Sequence, residues 1–529
     1  MSLVSIYGEL ALLGFIIIEF VILEFILGVP NSPLFSWDES VHGIEAWKYY
    51  TAFRDHSIRE IVEVSNYYPP LVGMITGALF LAFGVSDLVA RMTNVVFYFL
   101  MIFSIFIVLR RTSRNKCGTV IAITMISASP LIVGHCRMYM LDFPLTASVS
   151  TLLAYFIIMH ENNTKKAFWA LFGVIVGITI LVKWTGAVFA LSIFLAALIS
   201  QHVRNKWNIR KTLKHGFTWG LIVALSAIAV SGWWYIPKVV FVLRHVDYAA
   251  TKLRTYLGLS DVVGTTCVCL GAEGLYFKLF KDLIKGIGPL GALLFLGSAF
   301  LYLSIKDLRK EYLNEILIAA LISCLIFALI PNKQARYLML VYPFLVIFAS
   351  AVLSEALQKL KLIDKRVKFS LVLLVVLGGS IQMSIESTIL SENNTNHAWR
   401  TCIFNAIEAV ENISKGYGSM NVLVLPDKRY FNGVLLEFYS LQLGANNVTF
   451  HNGVYVYFDT VSAGEEFNIT KFNAVLTLEP TNFSKSSSTY ANIERNLYRT
   501  FYENISRYEL HLTIELPDGS RAYLYLLKR

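Results

Sequence analysis

Two adjacent carboxylates, Asp38 and Glu39, stand in FSWDESVHGIE (35–45), directly after an almost wholly apolar segment. Carboxylates are costly beside lipid, so a pair kept there either caps a helix or does chemistry. A carboxylate at a membrane edge can take the proton of an acceptor hydroxyl that lies within hydrogen-bond reach. Polar residues interrupt apolar sequence again at HCRMYMLDFP (135–144), with Arg137 and Asp142, at Lys183, and at PNKQARY (331–337), with Lys333 and Arg336. Arginine grips a phosphate through its planar fork and lysine as a point charge. Cations around a phosphate in a low-dielectric site make it a better leaving group. A base plus a phosphate clamp is the equipment for moving a group off a lipid-phosphate carrier.

Each residue also has a plainer reading. Ser36-x-x-Glu39 matches a capping box, in which Glu39 satisfies backbone N–H groups. Asp38, His42 and Glu45 follow i, i+4, i+7 spacing and share a helix face, which suits a divalent metal or a solvated surface. Arg137 and Asp142 could form a structural ion pair, and Lys183, Lys333 and Arg336 could reach up to lipid headgroups. What favours chemistry is that all of them fall on one side of the membrane.

The elements that must position these residues are membrane spans. The chain has 529 residues, of which 56% are hydrophobic and 16% charged, with a mean hydropathy of +0.57. That composition excludes an ordinary soluble domain. The net charge of +10 gathers in short loops: LRRTSRNK (109–116), KK (165–166), RNKWNIRKTLK (204–214), KDLRK (306–310) and KLKLIDKRVK (359–368). This is a topology signal, and no basic patch interleaved with aromatics points to nucleic acid. All five loops are cytoplasmic if spans run near 3–28, 87–109, 117–134, 143–160, 167–182, 184–200, 215–236, 286–305, 314–330, 337–355 and 369–385. This predicts eleven spans, with the N-terminus cytoplasmic and the C-terminus outside.

Three details support the count. The run 3–28 has no basic n-region and carries Glu9, Glu19 and Glu24, so it reads as a retained span and not a cleaved leader. LVGMITGALFLAFG (71–84) reaches only about 21 Å as a helix, short of a bilayer core of about 30 Å, and is expected to lie beside the membrane. The run 167–199 is too long for one span, and its single charge, Lys183, together with Gly186 marks a hairpin tip.

After residue 386 the sequence turns polar. NVLVLPD, VYVYFD, FNAVLTLEP, LHLTIEL and RAYLYLLKR read as strands, and WRTCIFNAIEAVENI and ANIERNLYRTFYENI as helices. The expected organisation is a polytopic α-helical membrane domain, 1–385, with a first outer loop at 29–86, then an extracytoplasmic α/β domain, 386–529. Sequons at Asn393, Asn412, Asn447, Asn468, Asn482 and Asn504 agree with an outward-facing, glycosylated surface. Cysteines 117, 136, 267, 269, 324 and 402 lack the spacing of a zinc site; Cys267 and Cys269 fall in an expected external loop and are open to oxidation.

The order of motifs resembles the glycosyltransferase C (GT-C) superfamily, in particular the dolichyl-phosphate-mannose protein mannosyltransferases and the bacterial aminoarabinose transferases of lipid A. The matching pieces are WDESVHG, YYPPL, RMYMLDFPL, LVKWTG and KQARYLMLVYP, spread over residues 30–355. The resemblance implies an inverting hexosyltransferase with a polyprenyl- or dolichyl-phosphate sugar donor and a hydroxyl acceptor on protein, glycan or lipid, within a cell or ER-type membrane. It implies that Asp38 is the base, that Glu39 orients acceptor or loop, and that Asp142 positions acceptor or sugar. Arg137, Lys183, Lys333 and Arg336 would bind the carrier phosphate, and His42, Tyr67 and Tyr68 would position acceptor or loop. His42 stands one residue beyond the family's histidine. No cofactor is required on this reading, and a divalent metal is left open. The loop 237–285 is too short for a MIR-type insertion, so the acceptor need not be a Ser/Thr protein; the outer domain and its sequons are similar to those of archaeal relatives.

Other functions predict other features. An oligosaccharyltransferase shares the fold, but SGWWYIP (231–237) lacks the aspartate of its WWD motif. A transporter or flippase of polyprenyl-linked sugars is the alternative from another class; it would show inverted repeats, and none is evident. A receptor-like structural protein would leave Asp38, Arg137, Lys183 and Arg336 unexplained.

Overall fold

The computed structural model of the chain describes residues 3–32, 34–65, 67–112, 117–158, 165–204, 208–239, 272–329, 335–359, 365–392, 396–425, 431–445, 447–462, 466–478 and 489–528. In chain order the first helices are Leu3–Phe20 (α1), which runs on as a π-helical stretch Val21–Gly28, then Trp37–Arg54 (α2), Ile58–Glu63 (α3), Leu71–Phe83 (α4) and Asp87–Thr112 (α5). Cys117–Ser127 (α6), Pro130–Cys136 (α7), Asp142–Ile158 (α8), Lys166–Val182 (α9), Gly186–Arg204 (α10) and Ile209–Tyr235 (α11) follow. Ala272–Ser304 (α12), Glu311–Leu329 (α13), Tyr342–Lys359 (α14) and Lys365–Glu392 (α15) complete the apolar part. The polar remainder runs Asn396–Ser414 (α16), Met420–Val424 (β1), Gly433–Leu443 (α17), Val448–Asn452 (β2), Gly453–Ser462 (α18), Ala474–Leu478 (β3), Thr489–Glu503 (α19), Tyr508–Glu515 (β4) and Arg521–Leu527 (β5).

By internal packing the chain divides into two units. One comprises Met1–Pro30, Ser57–Ile75 and Arg91–Glu392, and the other Asn31–His56, Thr76–Ala90 and Asn393–Arg529.

Helical segments occupy each of the eleven expected ranges, with 117–134 covered by two. Among the described residues seven helices are long and apolar enough to cross a bilayer: Leu10–Gly28, Asp87–Thr112, Gly186–Val203, Ile209–Tyr235, Lys281–Ser304, Arg336–Lys359 and Arg366–Leu390. Helices α8 and α9 are shorter, at 17 residues each, and the chain is a multi-pass membrane protein. Helix α14 is its central strut, with Phe344, Val346, Ile347, Ala349 and Ala351 all buried.

The expected span 117–134 is not one straight helix. Helices α6 and α7 meet at a 62° bend, because Pro130 has no N–H to continue the ladder and Ser129 caps the new helix by accepting from Ile132 N. A second break lies in α12, where Gly288 takes φ 76°, a conformation that favours glycine, just before Pro289. Breaks in lipid leave backbone groups that must find partners. Here Ser129 Oγ donates to Gly286 O (2.9 Å), while Gln382 of α15 donates to Ala128 O (2.6 Å) and accepts from Leu290 N (3.1 Å).

In the second unit a five-stranded sheet has the order β2-β1-β3-β5-β4, parallel across β2-β1-β3 and antiparallel from β3 to β4. Leu497, Tyr498 and Phe501 of α19 pack with Val475 and Leu423 in its core. Four of the five expected strands are present, but VYVYFD is helix α18. Its alternating pattern suits a strand, yet the place beside β1 is taken by Val448–Asn452, and Asn452 Oδ1 then caps the helix by accepting from Val454 N and Tyr455 N. Helix α17 was not expected. Among the described residues Cys117, Cys136, Cys324 and Cys402 are free thiols, and Cys267 and Cys269 lie outside the described residues. Sequon asparagines 412, 447 and 468 are exposed and Asn504 is half-buried; Asn393 and Asn482 lie outside the described residues.

Candidate functional site

Within the membrane unit three of the expected residues, distant in sequence, meet. Asp142 opens α8, where an acid suits the positive end of the helix. Its carboxylate is fully buried, and Lys183 Nζ donates to Oδ1 at 2.7 Å. Lys183 sits where α9 ends, with extended backbone that turns the chain into α10, so the predicted hairpin tip is where the lysine stands. Arg336 Nε lies 3.7 Å from Asp142 Oδ2, a charge contact longer than a hydrogen bond. Both cations also lie 5.6 Å from the centre of the Tyr337 ring, whose face favours positive charge. Lys183 and Arg336 keep 15% and 20% of their side chains exposed against 1% for Asp142, so the cations face outward from a buried counter-charge. Two cations thus face one buried carboxylate. Lys333 lies outside the described residues.

Arg137 has other partners. Its Nε donates to Glu24 Oε2 at 2.5 Å, and Nη2 bonds Ser387 Oγ on α15. Glu24 lies in the π-helical stretch, and Gly28, one turn on, leaves room for the guanidinium: a Cβ there would collide with it. The resemblance implied a phosphate contact for Arg137, whereas its described position is a buried ion pair joining the first span to α7 and α15. The loop between Arg137 and Asp142 is held by Asn94 of α5, whose Nδ2 donates to Cys136 O (2.9 Å) and Met138 O (2.8 Å).

Tyr67 and Tyr68 follow Ser65, whose Oγ accepts from both their backbone N–H groups, and their rings meet edge to face at 4.5 Å. Lys238, just beyond α11, is 7% exposed, lies over the Trp234 ring at 4.4 Å and donates to Ser65 O. Sequence reading passed over Lys238 and Asn94. A lysine at a span end reads as a headgroup contact, and only the buried backbone carbonyl reveals otherwise.

In the second unit α2 carries the acidic motif. Ser36 caps it, and the capping box is complete: Ser36 N donates to Glu39 Oε2 at 2.9 Å and Glu39 N to Ser36 Oγ at 3.4 Å. Glu39 is buried at 2% exposure, while Asp38, beside it, is half-buried. His42 Nδ1 lies 3.8 Å from Glu45. Among the described residues no group of three or more His, Cys, Asp or Glu is arranged to hold a metal ion, so Asp38, His42 and Glu45 do not gather into one.

A family model described as dolichyl-phosphate-mannose-protein mannosyltransferase matches residues 68–234. Among solved structures the chain is similar to ArnT from Cupriavidus metallidurans bound to undecaprenyl phosphate, with a TM-score of 0.60 at 12% identity over 97% of each chain. It is also similar to the archaeal oligosaccharyltransferase AglB from Archaeoglobus fulgidus in complex with an inhibitory peptide and a dolichol-phosphate, with a TM-score of 0.54 at 14% identity over 99% of this chain and 74% of that one. The arabinofuranosyltransferase AftD from Mycobacteria aligns with a TM-score of 0.50 at 13% identity over 98% of this chain and 40% of that one. No curated protein sequence matches. The chain therefore has the GT-C fold of membrane glycosyltransferases, as its motif order led one to expect.

Proposed function

We propose that this protein transfers a sugar, mannose or a related hexose, from a polyprenyl- or dolichyl-phosphate carrier to an acceptor hydroxyl on protein, glycan or lipid at the outer face of the membrane. The observation that carries the reading is the Asp142 cluster, where Lys183 at 2.7 Å and Arg336 at 3.7 Å share one buried carboxylate. Lys183 and Arg336 hold the anionic carrier phosphate, and their charges stabilise it as it leaves. Asp38 takes the proton of the acceptor hydroxyl while its oxygen attacks the anomeric carbon. The bond from that carbon to the phosphate oxygen breaks, and its electron pair stays on the phosphate. A single displacement of this kind inverts the anomeric centre. The family resemblance alone assigns Lys333 to the same clamp. No metal is needed where cations already neutralise the leaving group. The N-terminus is cytoplasmic, and the polar C-terminal domain is outside.

The test is transfer of label from radiolabelled dolichyl-phosphate mannose to a membrane extract by the purified protein. Native protein is expected to transfer and Asp38→Asn to lose turnover while still binding carrier. Full activity of Asp38→Asn removes the base assignment. Carrier moved between leaflets of a vesicle without transfer supports the flippase alternative.

A further inference from the structure

The C-terminal domain has no role in the chemistry proposed above, yet it holds the segment that delivers Asp38. Phe35 N donates to Tyr439 Oη at 3.2 Å, immediately before the capping residue Ser36. The same hydroxyl donates to Asp87 Oδ2 at 3.1 Å. Asp87 is 4% exposed, and its charge is neutralised by Arg400, whose Nη2 lies 2.5 Å from Oδ2 and Nη1 3.3 Å from Oδ1. One phenol thus accepts from the entry to α2 and donates to a paired, buried carboxylate, which uses its donor and a lone pair in fixed directions.

Packing repeats the message. The Phe35 ring stacks on Phe438 at 4.6 Å, and Trp37 stacks on Tyr455 of α18 at 5.2 Å. Gly43, on α2, sits so close to α17 that a Cβ would come within 2.6 Å of the Phe438 ring. The start of α2 is therefore clamped on both sides of Asp38 by residues of the C-terminal domain, with Phe35 before it and Gly43 after it.

We infer that Tyr439, oriented by Asp87 and Arg400, is a positioning residue for the Asp38 carboxylate, so that the C-terminal domain is part of the catalytic apparatus. The inference rests on the proposed role of Asp38. Displacing a reacting group by about 1 Å costs on the order of 100-fold in turnover, which sets the scale expected for losing this anchor at the helix entry.

Tyr439→Phe removes only the hydroxyl and keeps the ring. In the full-length protein, with dolichyl-phosphate mannose as donor, kcat is expected to fall by about 10- to 100-fold, with KM for the donor within about twofold. Amide hydrogen exchange is expected to quicken at residues 34–45 and to stay unchanged in the β1–β5 sheet. Arg400→Ala gives the same split, and Arg400→Lys recovers part of it. Gly43→Ala, which pushes α2 off α17 from the other side, gives it with Tyr439 intact. Arg499→Ala, in the exposed Arg499–Glu503 pair of the same domain, changes neither readout.

Faster exchange at 34–45 with native kcat overturns the inference, and so does native exchange in Tyr439→Phe. A parallel loss of melting temperature and of donor binding in all variants also overturns it, because it marks a merely structural network. If the wild-type protein transfers nothing, the functional reading fails first; the exchange result then still decides whether Tyr439 sets the helix.

Discussion

Arg137 Nε lies 2.5 Å from Glu24 Oε2 in the membrane unit, with the arginine side chain 6% exposed and the glutamate fully buried. Removing one partner of such a pair leaves an uncompensated buried charge, which costs about 3–5 kcal/mol. Arg137→Ala is therefore expected to lower thermal stability by several degrees and to reduce the yield of folded protein. The double variant Glu24→Gln/Arg137→Met should recover much of that loss. Melting curves of the three proteins in detergent decide the matter. An Arg137→Ala protein that melts like wild type but no longer binds polyprenyl phosphate would return this arginine to the phosphate clamp.

Lys183 and Arg336 make the opposite prediction. In the proposed clamp each cation faces Asp142 with part of its side chain open, so its loss is expected to weaken carrier binding while the other cation still faces the buried carboxylate. A hydrogen bond to a charged group contributes roughly 1.5–3 kcal/mol, so Lys183→Met should weaken carrier binding on the order of 10- to 100-fold. Lys183→Arg keeps the charge and should lose much less. Binding of undecaprenyl or dolichyl phosphate, measured against the same lipid without phosphate, separates a headgroup effect from a chain effect.

Gln382 stitches two helix breaks from a third helix. Its amide donates to Ala128 O and accepts from Leu290 N, at 2.6 and 3.1 Å. Gln382→Leu fills similar volume but leaves both backbone groups unpaired away from water, at about 1–3 kcal/mol each. The melting temperature should fall with donor KM unchanged. Retained stability would mean that the bend at Ser129 and the turn at Gly288 find other partners.

How legible all this was depends on sequence distance. The Ser36–Glu39 capping box is local, three residues apart, and its motif gave it away. The Lys183 hairpin followed from length alone, because one helix could not hold the apolar run. The break at Ser129–Pro130 also left a signal, a proline inside an apolar run, which hydropathy averages away. Gln382 meets Ala128 across 254 residues, and Tyr439 meets Phe35 across 404. No periodicity encodes such partners. VYVYFD misled because β-branched and aromatic alternation describes a half-buried surface, and a capped helix can supply one as well as a strand. Glu24 and Arg137 were each visible as odd charges in apolar sequence, but nothing in either segment said that they would neutralise each other.

Glu437 supplies a test by pH. It lies on α17, where Phe450 N of β2 donates to its Oε2 at 2.6 Å. Burial pushes its carboxyl up from 4.5 to about 7, while the bond from Phe450 N and the positive charge of Lys48 on α2 pull the other way and only partly offset it. The folded protein therefore keeps a proton between pH 4.5 and 7 that the unfolded chain releases. This contribution to stability is complete below pH 4.5 and is lost as pH rises through about 7, by roughly 3 kcal/mol at most. Glu437→Gln holds the neutral form at every pH and can still accept from Phe450 N. Its melting temperature should change less than that of wild type between pH 5 and pH 8, and the gain over wild type should appear at pH 8. Lys48→Met removes the nearby positive charge and should steepen the wild-type fall. Parallel curves for wild type and Glu437→Gln would show that the carboxyl is already ionised at pH 5 in the folded protein, with the amide of Phe450 and the charge of Lys48 outweighing its burial.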